Sequence, residues 1–144
     1  MTTFDTTRLL GWLSVILLGT IVAIPYTSAS GLRAGPGPGS VLSPTRRMAF
    51  HYWLAPLLAL GSFAHAWIPM ASHHMPRTNL NGLWLATAAL GVMLVQLALG
   101  VTLRFARGGA PNLLRRAHFT LMLGITALVL LHLWMNSPLL RANL

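Results

Sequence analysis

Four histidines, His51, His65, His118 and His132, lie inside two apolar segments and form two pairs, each separated by fourteen positions. On an α-helix, fourteen residues turn through about 1400°, about 40° short of four full turns, so both members of a pair leave the same face. They stand about 21 Å apart along the helix axis. Two such helices side by side present two cross-helix imidazole pairs, His51 with His118 and His65 with His132, one toward each side of a membrane. Two imidazoles are too few for a tetrahedral zinc site, and no thiolate or carboxylate is available to complete one. A haem brings its own four equatorial nitrogens and needs only two axial ligands. The spacing therefore points to two b-type haems held without covalent attachment, and bis-histidine ligation leaves no open iron position, which favours electron transfer over oxygen binding. The competing reading is that the histidines only pack or hydrogen-bond. Ionisable side chains are rare inside membrane spans and are functional by default there.

The elements that must position these residues follow from composition. Of 144 residues, 55% are hydrophobic and 8% charged, and Asp5 is the single acidic side chain. That is the composition of a membrane protein. All ten basic residues are arginine and they cluster between apolar runs, a pattern of membrane topology and not of a nucleic-acid surface. The absence of cysteine excludes disulfides, iron–sulfur clusters and c-type haem attachment.

Four apolar stretches, near residues 9–26, 48–70, 80–103 and 113–135, are long enough or nearly so to cross about 30 Å of hydrocarbon as helices. The expected fold is all-α, an integral membrane four-helix bundle, with residues 1–144 forming one transmembrane domain. The first stretch reads as a retained helix that stops at Pro25. In an up-and-down bundle the second and fourth helices run in the same direction, which brings the histidines level in the pairs named above. On the third helix Gly82, Gly91 and Gly100 recur every nine positions, and small residues admit either a neighbouring helix or a flat cofactor. Gln96, the amide in the middle of that helix, suits a bond to a cofactor or partner or, as the preferred reading, a link to a neighbouring helix. His73 and His74, in a turn flanked by Met70 and Met75, suit a copper site, proton carriage or plain solvation. Seven arginines lie in the first and third connections against three elsewhere, so the positive-inside rule makes those loops cytoplasmic and both termini periplasmic in a bacterial inner membrane.

The histidine ladder, with Arg47 four positions before His51 and the run Arg115-Arg116-Ala117-His118 on the fourth helix, resembles the di-haem b-type cytochromes. The likeness is to the four-helix haem-binding part of cytochrome b in quinol-oxidising bc complexes. The resemblance implies Arg47 and Arg116 as partners of haem propionates, and Gly91 and Gly100 as points of close haem approach. The chain has no glutamate, so the family's Pro-Glu-Trp motif is absent, and a quinone site is expected to need a partner subunit. The expected function is that of a di-haem b-type cytochrome subunit passing electrons across the bilayer between a partner redox protein and quinone or another acceptor. Two alternatives stay open: a stand-alone membrane haem reductase or oxidase acting on a small acceptor, and a non-redox scaffold or assembly subunit. The expected partners are the lipid bilayer, other redox subunits and quinone, with no nucleic acid.

Overall fold

Backbone amides have no water to bond in hydrocarbon, so each apolar stretch has to satisfy its own N–H and C=O groups, and each forms one unbroken helix. The computed structural model describes residues 3–30, 48–72, 80–106 and 112–136. The helices are α1, Thr3–Ser30; α2, Ala49–Ala71; α3, Leu80–Phe105; and α4, Asn112–Asn136. Among the described residues there is no strand. The shortest of the four, α2, has 23 residues, which reach about 35 Å and suffice to span the bilayer core. The side-chain hydroxyls of Ser14, Thr20, Thr87, Thr102 and Thr126 each donate to the carbonyl four residues earlier, so these polar groups are satisfied within their own helix.

One boundary differs from the sequence expectation, because α1 does not stop at Pro25 but continues to Ser30. A proline inside a helix deletes one N–H and releases the carbonyl four residues back, here that of Ile21. In apolar surroundings losing one bond is cheaper than abandoning the helix. α2 likewise carries Pro56 and Pro69 without breaking.

The outward faces are strongly apolar. On α2 alone Phe50, Trp53, Leu57, Leu60, Phe63 and Trp67 are exposed, and all four helices are long and apolar enough to cross a membrane. Such surface is intolerable in water but matches lipid tails. The protein is an all-α, four-helix integral membrane bundle.

Its interior is thin. The core is a small cluster of Ile21, Leu58, Met93 and Ile125, one residue from each helix. Leu58 is seven residues from both His51 and His65, and Ile125 is seven from both His118 and His132, so this apolar layer lies between the two histidine levels. Packing is densest within two hairpins, α1 with α2 and α3 with α4, and much sparser between them. The histidines stand on the facing sides of that sparse seam.

Candidate functional site

The structure brings the four histidines together as the spacing predicts. The His51 and His118 rings have centroids 6.2 Å apart, and those of His65 and His132 are 6.5 Å apart. Each pair takes one ring from each hairpin. Two imidazoles joined by a direct hydrogen bond of about 2.9 Å would have centroids about 5 Å apart, closer than either pair. Two imidazoles bound to one metal atom from opposite sides, with bonds of about 2.0 Å and about 1.1 Å more to each ring centre, would stand about 6 Å apart. The observed separations exclude a direct imidazole–imidazole hydrogen bond and leave room for an atom between the rings, which meet edge to face at 65° and 86°. Among the described residues the histidines meet in twos, and no group of three or more histidines and carboxylates forms.

The level formed by His65 and His132 is tightly oriented. His65 Nδ1 donates to the Thr7 carbonyl and His132 Nδ1 to the Gly82 carbonyl, each at 2.8 Å. A carbonyl only accepts, so both Nδ1 atoms carry the proton and each Nε2 keeps its lone pair available to a metal. Ligating histidines are commonly oriented by such a bond from the other ring nitrogen. Two glycines make room for it. A Cβ on Gly11 would stand 2.8 Å from His65 Cε1 and 3.0 Å from its Nδ1. A Cβ on Gly82 would collide with the Asn136 carboxamide. That carboxamide lies 3.2 Å from His132 Nδ1. Because Nδ1 is a donor, the amide is best satisfied with its oxygen turned to the ring, which also supplies a partner for an Oδ1 otherwise buried without one.

The level formed by His51 and His118 is held differently. The His51 ring lies near the backbone of Ile21, whose carbonyl Pro25 has released, and its Nδ1 is buried without a hydrogen bond. His118 Nδ1 is buried with no partner. Gln96 Nε2 donates to the His118 carbonyl at 2.8 Å, and one turn later Gly100 leaves a Cβ position 3.4 Å from His118 Cε1. At the end of α3 beyond Gly100, the Arg104 guanidinium lies 5.0 Å from the centre of the Tyr52 ring, next to His51. Ala49, Tyr52, Trp53, Arg104 and Phe105 line a cleft of 240 Å³ there.

Two of the remaining sequence candidates do not join the site. Gly91 is exposed, with nothing near its Cβ position. The reason is helical phase, since nine residues turn about 900° and place Gly91 half a turn away from Gly82 and Gly100. Arg116 is exposed and stands two residues before His118, about 200° around the helix, so the two leave nearly opposite faces. Arg47, His73 and His74 lie outside the described residues. Nothing in residue type singles out Thr7, Gly11 or Asn136, and the sequence leaves Gly82 and Gln96 between packing and a cofactor. A signal was present: Thr7 and Ile21, like Gly82 and Gln96, are fourteen residues apart, the same interval as the histidines they face.

Neither a protein family, nor a curated protein, nor a solved structure matches this chain. The site is therefore interpreted from its own geometry.

Proposed function

We propose that this protein is a di-haem b-type cytochrome, a membrane subunit that carries electrons across the bilayer between a redox partner and quinone or another acceptor. The observation that carries the reading is the pair of cross-hairpin imidazole couples at 6.2 and 6.5 Å, with two of the rings committed through Nδ1 to main-chain carbonyls. A haem needs two axial donors from the protein and supplies the rest, which is what each level offers. His51 and His118 would hold one, His65 and His132 the other. When bound, each would supply a one-electron ferric/ferrous couple.

The chain's own residues account for the remaining requirements. His51, His65, His118 and His132 would hold the two haems, and a haem held by two imidazoles would supply electron transfer in place of small-molecule binding. Ile21, Leu58, Met93 and Ile125 keep water from the space between the levels. Gly11 and Gly100 leave the histidine rings uncrowded. Arg104 takes the role expected of Arg116. The chain's single carboxylate side chain, Asp5, lies at the opposite end of the bundle, so an anion from outside the protein, such as a haem propionate, is its natural partner. With one acidic residue there is little to move protons, so quinone chemistry would be completed by a partner subunit. Arg104, Arg115 and Arg116 lie at the end of the bundle that holds His51 and His118, which favours that end as the cytoplasmic one in a bacterial inner membrane.

The test is the haem-to-protein ratio from a reduced pyridine-haem spectrum of the purified protein. Two per chain is the expected result, with one left after His51→Ala or His118→Ala. Protein without a b-type spectrum would make the histidines structural and the chain a scaffold.

A further inference from the structure

Resting on that reading, we propose that Gln96 is a positioning residue that sets the electronic character of one axial ligand. Its Oε1 would accept from His118 Nδ1–H, and Gln96 would thereby tune the potential of the haem held by His51 and His118.

The argument begins with the amide's sense. Gln96 Nε2 stands 2.8 Å from the His118 carbonyl. A carbonyl cannot donate, so nitrogen and not oxygen must occupy that position. The oxygen is then left buried with no donor. His118 Nδ1 is the complementary group, because once Nε2 serves a metal the proton must sit on Nδ1. It too is buried and unpartnered. Both orphans belong to two residues that already touch through the backbone carbonyl of one of them. Gly100, one turn from Gln96, leaves the space beside the ring free of any side chain. A carboxamide that gripped His118 twice, at the main chain and at the ring, would satisfy both orphans.

The other rings show why this matters. His65 and His132 give Nδ1–H to main-chain carbonyls, whose strength as acceptors no substitution alters. His132 has the Asn136 carboxamide nearby as well, but its proton is already committed to the Gly82 carbonyl; at His118 the side-chain amide is the available acceptor. A stronger acceptor at Nδ1 pushes electron density onto the imidazole and stabilises ferric iron, which lowers the potential, whereas removing the acceptor raises it.

The experiment is a spectroelectrochemical titration of the purified full chain as wild type, Gln96→Leu and Gln96→Glu. Haem content and the iron–imidazole Raman band are recorded alongside. The leucine variant is expected to keep both haems and shift one potential upward, and the glutamate variant to shift the same one downward. The second haem stays where it is in both. Opposite signs at one haem are not what a packing role produces. Should the leucine variant fail to assemble, Gln96→Asn, too short to reach both groups, is expected to shift the same haem upward. Potentials that ignore the substitutions, move together, or move in one direction for both variants would overturn the inference while leaving the di-haem reading in place. A wild-type chain without haem would sink both.

Discussion

The two histidine levels are built from the same parts to different standards of rigidity. At the level of His65 and His132, both rings are fixed by main-chain carbonyls and the surrounding space is shaped by Gly11 and Gly82. At the level of His51 and His118, neither Nδ1 has a hydrogen bond, and the neighbouring groups are a side-chain amide and an arginine stacked on a tyrosine. The difference teaches that one end is pre-organised by the backbone and the other is adjustable by side chains. Each main-chain bond at the rigid end contributes about 1 kcal/mol net, and more importantly fixes ring rotation before a ligand arrives.

The contrast can be broken most severely at Gly11. Gly11→Val sets a branched side chain where even a Cβ stands 2.8 Å from His65, and the ring must leave Thr7. The expected outcome is loss of one haem of two, measured by the pyridine-haem ratio, with the His51/His118 haem retained. Retention of both would mean that the rigid end is not rigid. Ile125→Ala should strike both levels alike, since Ile125 lies midway between them and is among the most buried residues. A loss of about 2–5 kcal/mol is expected from the cavity, read as a lower midpoint of detergent-induced unfolding, with similar weakening of both haems. Gly82→Ala is milder because the colliding group is the end of the Asn136 side chain, which can swing aside. It should broaden the spectrum or shift the potential of the His65/His132 haem without expelling it. The smallest effect belongs to Gly91→Ala, on the exposed face of α3, where haem content should not change and stability should move by no more than about 1 kcal/mol.

How much of this was legible in the sequence depends on the range of the interaction. Four spans and the level pairing of histidines follow from hydrophobic run length and helical phase, and both are met. The fourteen-residue interval survives folding because a helix converts sequence spacing directly into position. Gly91 went astray by ignoring that same phase, since a nine-residue recurrence alternates faces. The end of α1 was misread because Pro25 was treated as it would be in water, where a broken helix can be hydrated. Thr7 and Asn136 were hidden, and the Gly82 carbonyl with them, for a different reason: they act through carbonyls or contacts across a hairpin, and nothing in residue type announces which carbonyl a histidine will meet. Arg104 was hidden by its company, one arginine among ten until Tyr52 distinguished it.

The sparse seam between the hairpins has a thermodynamic consequence. Each histidine couple recruits one ring from α2 and one from α4, so whatever joins the rings of a couple binds only when the two halves are together. By linkage, such a ligand strengthens the union of the halves in proportion to its own affinity. On the di-haem proposal the protein would be two membrane-inserted helical hairpins clasped by a shared cargo, and the supply of that cargo would then influence how much assembled protein a membrane contains.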